Sequence, residues 1–126
     1  MSDLTTWIYE DEHGRSGVRD FLDRLKAPDR AKLENKLTMI RSLGWDDALA
    51  AGVLKNFGGN IYEVVVKGTP LRLLAFRTQT ESRPLLVAVE GFKKSIWKPR
   101  QKKEILRRAE RLRQDWLDRH GGGERP

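Results

Sequence analysis

The alternation of apolar and polar positions is clearest between Ile61 and Pro99. Three runs of similar length follow one another there: Ile61-Tyr62-Glu63-Val64-Val65-Val66-Lys67, then Leu71-Arg72-Leu73-Leu74-Ala75-Phe76-Arg77, then Pro84-Leu85-Leu86-Val87-Ala88-Val89-Glu90-Gly91-Phe92-Lys93-Lys94. β-branched and aromatic residues crowd each run, and Gly68-Thr69-Pro70 and the stretch from Thr78 to Pro84 separate them. That pattern predicts an antiparallel meander. A period of two along the first run puts Glu63, Val65 and Lys67 on one face and Tyr62, Val64 and Val66 on the other.

Upstream, Leu4 to Tyr9 reads as a further strand, with Trp7 and Tyr9 on one face and Ile8 on the other. Ser16 is the expected N-cap of a helix carrying Val18, Phe21, Leu22 and Leu25 at half-buried helical spacing. Ala27-Pro28 closes it and opens a second helix with Leu33, Leu37, Ile40 and Leu43 inward, stopped by Gly44. The two form a helical hairpin expected to cover one face of the sheet. From Trp45 to Phe57 the apolar residues have no clean period, so a loop with a short helical or extended piece is expected, then a turn over Asn56–Asn60. Downstream, Pro99 suits the first turn of a helix. Ile105, Ala109, Leu112 and Trp116 form its apolar stripe, flanked by Leu106 and Leu117, and Gly121-Gly122-Gly123 ends it. The expected order is β-α-α-loop-β-β-β-α, an α+β layer fold with an antiparallel-rich sheet, an N-terminal helical hairpin and a C-terminal helix. Residues 1–120 form one domain in this reading, and residues 121–126 a disordered tail.

Composition adds bounds. At 126 residues the chain suits one domain with its own core. The absence of cysteine removes disulfides and thiolate metal sites. No basic stretch followed by an apolar run begins the chain, and no apolar run approaches the ~18 residues of a membrane span, so a soluble cytoplasmic protein is expected. The formal charge of +7 is unevenly placed. Eleven Lys/Arg against four Asp/Glu lie between Lys93 and Arg119, whereas Met1 to Phe92 carries thirteen of each. A basic excess gathered at one strand end and one helix is the footprint of a polyanion partner.

Phosphate-binding Gly-rich loops and nucleophile elbows are missing. His13 falls in an expected turn and His120 in the tail, neither placed for catalysis. Asp46-Asp47 is a weak metal signal, and no metal or cofactor is expected. What remains is a basic and aromatic group around the meander: Lys67, Arg72, Lys93, Lys94, Lys98 and Trp97. Cations can hold phosphates and an aromatic ring can stack on a base. Equally, Arg72 can pair with Glu63 or Glu90 while the lysines face solvent.

In this order, Ile61–Lys67, Leu71–Phe76 and Gly91-Phe92-Lys93-Lys94-Ser95 up to Pro99 resemble the phage-derived Gp49-like / HigB group of the RelE/ParE toxin superfamily. The likeness runs from the Phe21-Leu22 helix to the Ile105–Leu112 helix. It implies a RelE-like fold and the toxin of a type II toxin–antitoxin module, with a small helix-turn-helix antitoxin as cognate partner. It also implies ribosome-dependent mRNA endonuclease activity. Arg72 matches the strand arginine that holds the scissile phosphate, Lys93 and Lys94 the basic pair after the last strand, and Lys67 a basic residue near the turn. Trp97 falls where an aromatic would stack on the codon. Two positions depart from the pattern: Val65 stands where relatives often carry arginine, and Glu90 where they often carry histidine.

The expected chemistry is attack by the RNA's own 2′-hydroxyl on the neighbouring phosphate. Arg72, Lys93 and Lys94 would stabilise charge, and Glu63 is the first candidate for the base, with Glu90 next. Lys98, Arg100, Lys103 and Arg107 extend the expected RNA-binding surface. A non-catalytic binding protein on the same fold is the alternative, and a gyrase-directed toxin a further one.

Overall fold

The computed structural model describes residues 3–80, 83–94 and 98–121. Five strands and four helices follow in the order β1 (Thr5–Ile8), α1 (Gly17–Arg24), α2 (Ala27–Leu43), α3 (Trp45–Ala50), β2 (Leu54–Gly58), β3 (Ile61–Val65), β4 (Leu71–Thr80), β5 (Arg83–Lys93) and α4 (Pro99–His120). The sheet order is β1-β5-β4-β3-β2, with β1 parallel to β5 and every other pair antiparallel. Helices α1–α3 cover one face and α4 the other, the α+β layering expected of the chain.

Local signals account for most boundaries. The Ser16 side chain accepts a hydrogen bond from the Arg19 amide, capping α1, and Val18, Phe21 and Leu22 turn inward. Proline opens both α2 and α4 within their first turn, where its missing amide costs nothing. Gly44 closes α2 by donating its amide to the Ile40 carbonyl. Gly121 closes α4 in the left-handed conformation. Leu43 differs from expectation, since it is 37% exposed at the end of α2. The rest of the expected tail lies outside the described residues.

Two corrections concern the sheet. The stretch after Gly44 forms α3 and then β2, which pairs with β3 from Leu54↔Val64 to Gly58↔Ile61. Leu54-Lys55-Asn56-Phe57-Gly58 has little strand propensity of its own, so the pairing, together with burial of Leu54 and Phe57, holds it extended. Asn56, Phe57 and Gly58 therefore belong to the strand and not to the turn. α4 lies directly on Gly58: a Cβ there would sit 2.7 Å from Leu106 Cδ2. The second correction is that β4 and β5 run on past the expected break, pairing Thr78↔Leu85, Gln79↔Pro84 and Thr80↔Arg83.

The sheet separates two cores. Val64, Val66, Leu71, Leu73, Ala75, Leu86 and Ala88 face α1–α3, against Val18, Phe21, Leu33, Ile40 and Trp45. Ile61, Leu74, Phe76, Leu85, Val87 and Val89 face α4, against Ala109 and Trp116 with Ile105, Leu106, Leu112 and Leu117 around them. A register shift in β5 opposite Leu74/Ala75 leaves Val89 as the extra residue, between Ala88, which pairs with Ala75, and Glu90, which pairs with Leu74. It resets the alternation, so that Gly91 meets Phe21 of α1 while Phe92 packs with the α4 core.

Candidate functional site

Arg72 is the second residue of β4 and pairs across to Val65 of β3 and Phe92 of β5. Alternation places it on the α4 face with Leu74 and Phe76. Its Nη1 donates to the carbonyls of Thr69 and Leu71, both at 2.8 Å, which anchors the guanidinium over the β3–β4 turn. Its Nε is buried and has no hydrogen-bond partner. Glu63 stands on the same face of β3, opposite Leu74, and is therefore a diagonal neighbour of Arg72, about 7 Å away between side-chain origins. Glu63 is 8% exposed, and its Oε2 has no hydrogen-bond partner. Among the described residues the two form no ion pair. A buried carboxylate oxygen and a buried guanidinium N–H, each unpaired and adjacent, are costly to leave so and are ready to receive a polar ligand.

Val65, directly opposite Arg72, is 5% exposed, so this position is a closed apolar one. Glu90 is committed elsewhere: the β5 shift turns it towards α4, where Arg108 Nη2 donates to Oε2 at 2.7 Å. Neither carboxylate pairs with Arg72.

The predicted cations fall in three places. Lys67 is exposed in the turn before Arg72. Lys94 follows β5, exposed, its amide bonded to the Pro70 carbonyl at 2.6 Å, and so lies at the same sheet end. Lys93 pairs opposite Leu71, a residue of the α1–α3 core, and lines a cleft with Phe21, Arg24, Leu25, Gly91 and Phe92. It therefore sits on the other side of the strand from Arg72. Lys98 caps α4 through its amide, which donates to Gln101 Oε1 at 2.9 Å. Trp97 lies outside the described residues. Along α4, Arg100, Lys103, Arg107 and Arg111 share one exposed stripe, about half a helical turn from the buried Ala109 and Trp116. Among the described residues none of the four makes an ion pair, and Glu104 is the acidic residue nearest in the stripe. The stripe points away from the sheet, so it does not converge with Arg72 on one phosphate. Lys102 differs from its neighbours, with Nζ 5.0 Å from the centre of the Phe57 ring, which in turn packs 6.4 Å from Phe92.

The far end of α4 is structural. Tyr9 Oη donates to Asp115 Oδ2 at 2.7 Å, and Arg119 bonds the same carboxylate oxygen at 2.8 Å. Burial and the bond to Asp115 push the Tyr9 hydroxyl up to about 12. The Arg119 and Tyr9 hydrogen bonds hold Asp115 below the usual carboxylate range. His120 occupies the last turn of α4 rather than a tail, stacked on Trp116 at 4.4 Å. Sequence reading missed Arg24, because only the fold brings α1's last turn to the end of β5.

Among the described residues no cluster of His, Asp or Glu is arranged to hold a metal ion, and no helix is long and apolar enough to cross a membrane. No protein-family model matches the chain, and no curated protein matches it in sequence.

Proposed function

We propose that the protein is an mRNA endonuclease acting on the ribosome, the toxin of a type II toxin–antitoxin pair with a helix-turn-helix antitoxin as its partner. The observation that carries this reading is the buried, unpaired Glu63 carboxylate oxygen beside the unpaired Nε of Arg72. In the proposed reaction Glu63 accepts the proton of a ribose 2′-hydroxyl, whose oxygen forms a bond to the neighbouring phosphorus. Arg72 Nε and its free Nη2 donate to the non-bridging oxygens, where charge builds up. The bond from phosphorus to the 5′-oxygen breaks, and the leaving oxygen takes a proton from solvent or from an ammonium at the same sheet end, Lys94 or Lys67. A 2′,3′-cyclic phosphate and a 5′-hydroxyl result. Ribosomal presentation of the mRNA would supply the alignment that one weak base cannot.

The second reading, a non-catalytic RNA- or protein-binding member of the same fold, draws on Val65 being buried and Glu90 being paired with Arg108. Both positions are then occupied by structure rather than chemistry. Inducible expression in a bacterium decides between them, comparing wild type with Arg72→Ala and mapping mRNA 5′ ends. Growth arrest with new cuts inside translated codons, both lost in Arg72→Ala, is the expected result. Arrest without cuts redirects the activity to another target such as gyrase. Neither arrest nor cuts, with soluble protein present, leaves the binding protein.

A further inference from the structure

The geometry points to a nucleotide subsite in the cleft between α1 and the end of β5, with Arg24 and Lys93 as its phosphate ligands. The cleft measures about 380 Å³ and is lined by Phe21, Arg24, Leu25, Gly91, Phe92 and Lys93. Its floor is apolar. Leu25 is half-buried there, the Phe21 ring is pressed against the Gly91 backbone, and the Phe92 ring lies on the other face of the sheet with Phe57. Its rim carries two exposed cations and, among the described residues, no carboxylate. Among the described residues neither Arg24 nor Lys93 has a hydrogen-bonded or ionic partner, although most other arginines in α1, α2 and the second half of α4 have one. Two uncompensated cations over a low-dielectric floor attract an anion more strongly than the same charges on open surface. An anion with an apolar body satisfies both parts, the phosphate at the rim and the base against Leu25 and the Gly91 backbone. The volume lies at the small end of ligand sites and suits one nucleotide rather than a duplex.

The subsite also adjoins Arg72. Phe92 is the β5 partner of Arg72, and Lys93 that of Leu71, so the cleft opens one residue further along, around the strand end. An RNA strand whose scissile phosphate rests on Arg72 would pass over that end and place an adjacent nucleotide in the cleft. This placement rests on the nuclease reading, whereas the nucleotide site itself does not. Lys93, matched by resemblance to the catalytic group, then acts as a positioning residue.

The test is a titration of ¹⁵N-labelled full-length protein with adenosine 5′-monophosphate, and in parallel with adenosine. The expected result is saturable shifts at the Leu25, Gly91, Phe92 and Lys93 amides with the nucleotide. Binding should be at least about tenfold weaker with the nucleoside and in Arg24→Glu, whose remaining spectrum reports an intact fold. No shifts at these amides, or shifts that Arg24→Glu and Lys93→Glu leave unchanged, overturn the subsite. The expression assay separates the two readings. If wild type cuts mRNA and Arg24→Glu cuts equally well, the placement of an mRNA nucleotide in the cleft fails and the nuclease stands. If the nucleotide binds and wild type cuts nothing, the nuclease fails and the site stands.

Discussion

Gly91→Ala tests how α1 is held on the sheet. A Cβ at Gly91 would lie 2.3 Å from Phe21 Cδ2, 2.7 Å from Cγ and 3.0 Å from Cε2. Carbon atoms in contact prefer about 3.5–4.0 Å, so the shortfall is more than about 1 Å at Cδ2 and at least about 0.5 Å at the other two ring atoms. Phe21 cannot swing clear, because it is 5% exposed and enclosed with Val18, Leu22 and Ala88 in the core under α1. Relief requires α1 to lift or β5 to shift, an overpacking cost of about 1–3 kcal/mol. With about 2.1 cal/mol/K of unfolding entropy per residue, a domain of this size should lose roughly 4–11 °C in Tm. Urea titration and thermal melts of wild type, Gly91→Ala, Phe21→Leu and the double variant measure this. The smaller, more flexible leucine makes room for the methyl, so the double variant should be more stable than the sum of the single losses by about 1 kcal/mol or more. A Gly91→Ala variant within about 0.5 kcal/mol of wild type, or strictly additive losses, would refute the close approach of Phe21 as the reason for glycine here.

Further outcomes follow from the same structure. Glu63→Gln removes a buried unpaired charge without changing shape, so stability should hold or rise while mapped mRNA cuts fall by about 10²–10⁴-fold; retained cutting would exclude Glu63 as the base. Tyr9, one of two tyrosines, should ionise near pH 12 by ultraviolet titration, and Asp115→Asn should bring it down, since the carboxylate is among the causes of the rise. Because the folded value lies above the ordinary 10, the Tyr9 contribution is full below pH 10 and is lost as pH climbs from about 10 to about 12. Asp115 has the opposite sign: its folded value is lowered, so its contribution is present above the unfolded value near 3.8 and is lost as pH falls through the folded one. Urea midpoints measured from pH 2 to 6 should therefore fall less steeply in Asp115→Asn. Reversing Arg107 and Arg111 to Glu on the outward stripe should leave the melting temperature within a few degrees. It should lower RNA affinity and flatten its salt dependence by about 0.7–0.9 for each phosphate no longer neutralised, read by fluorescence anisotropy at several ionic strengths.

The sequence by itself determined the parts of this protein that depend on local spacing. The period of two in Ile61–Val66 places Tyr62, Val64 and Val66 in one core, as in the structure. The stripe Ile105, Ala109, Leu112 and Trp116 faces the sheet as its 3.6-residue spacing requires, and Ser16, Pro99 and Gly121 mark the helix ends through capping and proline geometry. Such features reward each residue within its own few neighbours, so composition and order are enough to reveal them. Tertiary structure alone decided the rest. Strand β2 exists because β3 offers it a ladder. Gly91 is a glycine because Phe21 arrives from a helix distant in sequence, and Leu106 of α4 comes to rest on Gly58. The residue inserted in β5 turned Glu90 to Arg108 and brought Lys93 to the side of Arg24, parting it from Arg72. A one-residue register shift reverses every side chain beyond it, and its position is set by cross-strand pairing rather than by any local preference. That is why the candidate cations were legible as a group in the sequence, while their division between two faces and an outer helical stripe was not.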